Sequence, residues 1–282
     1  MTTMSVNRHP WFPVSDCGQE CLGPFATRRI VDALTVGARL CRLAAIAGWI
    51  VGTLVADSAT ARLRRRPRRA LRARAARPLL AALGIRVVVD DRRSDPHANG
   101  LIVANHISFL DVLALALVSP APVVAKSDVI DMPVVAGLAR RFGVIAVDRG
   151  TLRGLPAAVG AVTARLAAGS SVIVFPEGTT FCGRTGGAFR PAFFQAAVDA
   201  GVSVSPVRLR FVGPDGRAAT AASFIGDDSP LDTLGRVLRA RGLTVVVRLE
   251  RAEVPGADRR ELARRCERVL RTAESDIERS LI

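Results

Sequence analysis

From residue 85 onward, short apolar runs rich in β-branched residues alternate with stretches of helical spacing, and this rhythm leaves few folds open. The runs suited to strands are 85–89, 101–104, 122–125, 144–147, 171–175, 204–211 and 244–249. Helical patterns fall near 109–118, 132–141, 153–168, 188–200, 229–240 and 257–280. Strands that alternate with helices build an α/β domain. The expected architecture is a mixed, mostly buried sheet flanked by helices. Gly213, Pro214, Asp215 and Gly216 mark 212–228 as a loop. There is no internal repeat and no long low-complexity linker.

The region before residue 85 reads differently. Pro10, Pro13, Gly18, Gly23 and Pro24 make 1–25 irregular, and the first 21 residues lack the apolar core of a signal peptide. Residues 26–56 read as helical and are strongly apolar over 43–56. That stretch is shorter than the ~20 residues needed to cross a bilayer. Arg39 and Arg42 precede it, and arginines can snorkel, so a tilted span stays open beside an interfacial helix and a buried core helix. The expected division is 1–84, an N-terminal segment with a membrane-associating apolar helix and an arginine-rich stretch, followed by an α/β domain over 85–282.

Charge sharpens this division. The chain has 40 basic and 25 acidic residues, a net +15, and Lys126 is its only lysine. Nine arginines and no acid fall within 62–77; without them 31 basic residues face 25 acidic ones. Such a stripe suits an anionic membrane surface or nucleic acid, or is a solvated helix face. With aromatics at 5% and no tyrosine, a base-stacking platform is missing, so no nucleic-acid partner is expected. Positive charge beside an apolar segment places that side at the cytoplasmic face of the cell membrane.

Other chemistries lack their signatures. There is no Gly-x-Ser-x-Gly elbow, no phosphate loop ending in Gly-Lys-Ser/Thr and no Gly-x-Gly-x-x-Gly. Five cysteines are an odd number without a dense framework, and Cys17-x-x-x-Cys21 has no second pair at metal spacing, so no metal site is expected. The three histidines, His9, His97 and His106, are too scattered for a multi-histidine centre.

What remains is Asn105-His106-Ile107-Ser108-Phe109-Leu110-Asp111. It follows the strand run 101–104 and enters a helix, so His106 and Asp111 lie on a strand-to-helix turn. An imidazole oriented by a carboxylate is a general base suited to a hydroxyl. Ser108-x-x-Asp111 also fits a helix capping box, and Ser108 reads as a cap. A second carboxylate, Glu177 in Phe175-Pro176-Glu177-Gly178-Thr179-Thr180, sits at the end of another buried strand, where open α/β sheets bind ligands.

These residues resemble the glycerolipid acyltransferase family, the group of 1-acylglycerol-3-phosphate acyltransferases. Four blocks match in order over roughly 85–212: Asn105-His106-x4-Asp111, Phe142 through Arg149, Phe175-Pro176-Glu177-Gly178-Thr179, and Val204-Ser205-Pro206-Val207. The resemblance implies a glycerolipid O-acyltransferase with no cofactor, using acyl-CoA or acyl carrier protein as co-substrate and a membrane lipid as acceptor. It implies that His106 is the base and Asp111 its orienter, that Lys126 and Arg149 bind phosphate, and that Glu177, Gly178 and Thr179 shape the acceptor site. The most direct acceptor is 1-acyl-sn-glycerol-3-phosphate, giving phosphatidic acid. The family commonly has arginine directly after Glu-Gly-Thr, where this chain has Thr180. Arg184 or Arg190 would then supply the missing charge, or the acceptor has another head group, such as that of a lyso-ornithine lipid. The glycine-rich run 183–187 suggests a flap over the site. A non-catalytic membrane- or nucleic-acid-binding protein is the remote alternative.

Overall fold

A computed structural model describes residues 13–22, 33–59, 76–96, 98–127, 144–147 and 152–280. Its centre is a five-stranded sheet of β1 (Ile85–Asp91), β2 (Leu101–Ala104), β5 (Val172–Val174), β6 (Val204–Val212) and β7 (Leu243–Leu249), in the spatial order β1-β7-β6-β2-β5. A short parallel pair, β3 (Val124–Lys126) with β4 (Ile145–Val147), continues it through a bridge from Val123 to Ile173. Each of the seven strand runs expected from sequence is present, with ends shifted by a residue or two. Only the β6–β7 pair is antiparallel; β1–β7, β2–β6, β2–β5 and β3–β4 are parallel.

The sheet buries both faces, and side-chain alternation assigns residues to them. Along β2, Leu101 and Val103 point to one face and Ile102 and Ala104 to the other, and all four are buried. One face packs on α3 (Leu110–Val118), α6 (Pro230–Arg239) and the helix at 76–82, labelled α2. The opposite face packs on α4 (Leu155–Ala167), α5 (Phe194–Ala200) and α7 (Arg259–Ser280). α5 is shorter than its sequence pattern suggests, because Pro191 lies inside the expected range 188–200. The expected helix near 132–141 lies outside the described residues.

The N-terminal helix α1 (Ala33–Ala59) joins this body through one stripe. Val36 and Leu43 pack against the core, and Arg39 between them is buried. Its guanidinium donates to the carbonyls of Leu238 (2.8 Å) and Ala240 (2.9 Å), closing the C-terminal end of α6. The snorkelling role expected for Arg39 is therefore corrected: it points inward because α6 offers carbonyls that lack helical partners. The side chain also fills the space over Gly84, where a Cβ would come within 2.3 Å of it. Leu34 and Leu40 on the outer side of α1 are exposed. No helix among the described residues is long and apolar enough to cross a membrane. Packing by Val36, Leu43, Leu80 and Leu83 against the core also crosses the boundary expected at residue 84.

Candidate active site

The parallel strands β2, β3, β4 and β5 all end at one edge of the sheet, and the sequence-predicted site residues follow those ends. Where β2 stops, Asn105 continues the ladder with its side chain. Its amide donates to the Leu209 carbonyl (3.0 Å) and accepts from the Leu209 N–H (2.7 Å) on β6. This clamp fixes the backbone immediately before His106, a role the motif alone did not indicate.

Asp111 lies in the first turn of α3 and is fully buried. One of its oxygens, Oδ2, accepts three bonds: from Ile107 N–H (2.6 Å), from Ser108 N–H (2.9 Å) and from His106 Nδ1 (2.9 Å). An ionised carboxylate only accepts, so Nδ1 carries the proton and Nε2 keeps its lone pair. Of the two reciprocal bonds in a capping box, only the one from Ser108 N–H to Asp111 forms. The Ser108 hydroxyl turns instead to Leu110 N–H at 3.3 Å. The acid at this helix start is thus spent on aiming the imidazole as well as closing the turn.

The neighbouring turn after β5 holds the same histidine from the other side. The Phe175 ring stacks on His106 with centroids 4.0 Å apart and planes 13° from parallel. Glu177 is buried; Oε2 accepts His106 N–H (2.7 Å) and Oε1 accepts Gly187 N–H (3.1 Å). The His106 carbonyl accepts Phe181 N–H at 2.8 Å. Burial pushes the Glu177 carboxyl up to about 7, against the pull of the two backbone N–H groups and the nearby Arg208 guanidinium. Arg208, buried on β6, is a neighbour of this site that no motif pointed to. Gly178 must be glycine twice over: its φ is +76° and a Cβ would meet the Pro13 ring at 2.8 Å.

The remaining predicted residues fall as follows. Lys126 ends β3 on this same edge, exposed, in register with Val147 of β4. Arg149 lies outside the described residues. Thr179 is half-buried in the turn after Gly178. Thr180, standing where an arginine was expected, donates its hydroxyl to the Phe224 carbonyl, so it ties two loops together. Arg184 is exposed on the loop that follows. Arg190 comes closer to the turn, with its Cδ 3.6 Å from the position of a Cβ on Gly178 and its N–H bonded to the Pro176 carbonyl. The glycine-rich run 183–187 is tied down by Gly187 on Glu177 and Gly183 on Ile107, so the flap expected there is already packed against the site. Cys182 lies beside Cys17 and Cys21, a grouping that residue spacing did not reveal.

Comparison with known proteins agrees with this geometry. The acyltransferase family model matches residues 86–210. The lyso-ornithine lipid O-acyltransferase of Pseudomonas aeruginosa is 36% identical over 197 residues, covering 69% of this chain and 74% of that protein. The 1-acyl-sn-glycerol-3-phosphate acyltransferase of Neisseria meningitidis serogroup B is 34% identical over 172 residues, covering 61% of this chain and 67% of that protein. The crystal structure of the 1-acyl-sn-glycerophosphate acyltransferase PlsC from Thermotoga maritima superposes with a TM-score of 0.60 at 20% identity. It covers 87% of this chain and 95% of that one, a likeness of fold. With two relatives above 30% identity matched over two thirds of their length or more, and a histidine held by a buried carboxylate at the sheet edge, the chain belongs to the acyltransferase family and is an acyltransferase.

Proposed function

We propose that the protein transfers a fatty acyl group from acyl-CoA or acyl carrier protein to the free hydroxyl of a lysophospholipid, with His106 as general base. The observation that carries this reading is the 2.9 Å bond between His106 Nδ1 and Asp111 Oδ2, which leaves Nε2 as a proton acceptor. In the reaction Nε2 takes the hydroxyl proton as the oxygen attacks the thioester carbonyl. The tetrahedral intermediate then collapses, expelling the thiolate, which takes the proton from the imidazolium. Asp111 holds the tautomer and stabilises the imidazolium while it exists. No acyl-enzyme forms and no cofactor takes part.

Lys126, Arg149 and a cation near the Glu177 turn bind the anionic head group in this reading. Arg190 fits that last place better than Arg184, because it already lies against Gly178. Glu177, Gly178 and Thr179 shape the wall of the acceptor site. The acceptor proposed first is 1-acyl-sn-glycerol-3-phosphate. A lyso-ornithine lipid is the second reading, favoured by one specific observation: the Thr180 hydroxyl is spent on Phe224, so this position offers no charge to a phosphate.

The enzyme works at the cytoplasmic face of the cell membrane in this proposal. Exposed Leu34 and Leu40 on α1 and the nine arginines of 62–77 support attachment to an anionic membrane surface. Purified protein given labelled palmitoyl- or oleoyl-CoA and a panel of lysolipids tests the function. Labelled diacyl product from lysophosphatidic acid supports the first reading, and product from lyso-ornithine lipid alone selects the second. Failure with every lysolipid, by protein that is folded and binds the donor, overturns both.

A further inference from the structure

The His106 turn does not use the chain's most reactive sulfur chemistry. Cys17 and Cys21, from the segment 13–22, meet Cys182, from the loop after the Glu177 turn, with all three sulfurs within 4.8 Å of one another. All three are free thiols, and Cys17 and Cys182 are buried. Thiolates arranged tetrahedrally around zinc, at about 2.3 Å from it, lie roughly 3.8 Å apart, so this spacing suits one ion.

The surroundings suit thiolate ligands. Cys182 N–H donates to Cys17 Sγ at 3.3 Å, and backbone N–H groups of Arg184 and Thr185 are directed at Cys182 Sγ. The Thr185 hydroxyl lies 3.5 Å from Cys17 Sγ and 3.6 Å from Cys182 Sγ. Amide donors to sulfur stabilise the charged form and fix its direction. The 3-10 turn Gln19–Cys21 folds Cys21 back toward Cys17, with Cys21 N–H on the Gly18 carbonyl at 3.0 Å. Ile225, Leu22 and Phe181 wall the cluster with apolar surface. A soft sulfur set in such a wall selects zinc-class ions over calcium or magnesium.

We propose that Cys17, Cys21 and Cys182 bind one zinc-class d10 cation through three thiolates, fastening segment 13–22 to the loop behind the His106 turn. Each thiol gives its proton to solvent as its sulfur coordinates, and the fourth position falls to solvent or the Thr185 hydroxyl. The site is structural, and its effect reaches the lipid-facing edge by contact. Pro13 of the fastened segment covers Gly178, and Gln19 bonds to Asp228 at 3.1 Å. A cation there holds the segment against the turn that supports His106.

The test uses full-length protein, reduced, equilibrated with zinc chloride and freed of excess by gel filtration. Mass-spectrometric metal analysis is expected to find one zinc per chain in the wild type and in Cys41→Ser, whose thiol is exposed and outside the cluster. Cys17→Ser and Cys182→Ser are expected to retain almost none. Cadmium titration of the wild type alone, followed by sulfur-to-metal charge-transfer absorption and saturating at one equivalent, supports the site without relying on any variant's folding. Wild-type protein that holds no more zinc than Cys182→Ser overturns the proposal. So does peptide mapping of protein isolated without reductant that finds Cys182 in a disulfide with Cys17 or Cys21.

Discussion

β2 and β5 lie side by side and parallel, and each runs into a turn with a buried carboxylate, yet the two turns put that carboxylate to different use. After β2, Asp111 gathers two backbone N–H groups and the imidazole on one oxygen. After β5, Glu177 spreads its two oxygens over two chain segments, the backbone of His106 and that of Gly187. Asp111 therefore governs the reactive ring, and Glu177 governs the frame that presents it. The contrast teaches that burial of an acid at a sheet edge does not make it chemical; what matters is whether its partner is a titrating side chain or the main chain.

The sharpest way to break this contrast is His106→Ala. Turnover is expected to fall about 10²- to 10⁴-fold, the usual yield of a positioned general base, with the thermal midpoint nearly unchanged. Thiol release from acyl-CoA and a melting curve check it, and near-normal turnover removes His106 from the chemistry. Asp111→Asn is expected to fall less, on the order of 100-fold. An amide oxygen can still receive the three converging donors, so the tautomer survives and only the charge beside the imidazolium is lost. Equal damage from both variants would mean that orientation, not charge, is what Asp111 supplies.

Glu177 is expected to show itself in stability against pH. Its folded carboxyl titrates at about 7 against an ordinary value of 4.5. Its contribution is therefore fully present below about 4.5 and is lost as pH rises through about 7, at most roughly 3 kcal/mol. Urea unfolding at pH 5 and pH 8 should show a drop in the wild type that Glu177→Gln lacks. Should Glu177→Gln instead abolish turnover with the pH dependence of stability intact, the frame role is wrong. The smallest effect is expected for Lys126→Ala: about a tenfold rise in KM for a phosphate-bearing acceptor, with donor KM unchanged. Equal shifts in both constants would mark Lys126 as structural.

The sheet was legible because its strands are apolar on both faces and short, as in 101–104 and 171–175, and because glycine, proline and charge punctuate them. The His106–Asp111 pair was legible for a similar reason: both members lie on one local turn. What sequence reading missed involves partners distant along the chain. Arg39 looked like a membrane-flanking charge, and nothing local shows that the end of α6 needs a donor. Asn105, Phe175 and Arg208 become parts of the site only when β2, β5 and β6 are neighbours. The third thiol escaped notice because Cys182 has no cysteine near it in sequence. Thr180 was read correctly as a departure, but its bond to Phe224 depends on a loop far downstream.

The stack of Phe175 on His106 has a consequence for how a lipid must arrive. With one ring face covered and Nδ1 tethered, the imidazole can neither turn over nor swing outward. Its remaining nitrogen marks a single fixed point relative to the scaffold. An acceptor has to bring its alcohol to that point, so the distance from its acyl chains to its hydroxyl acts as a ruler. Lipids whose hydroxyl lies a bond or two too high or too low would bind and yet stay unacylated.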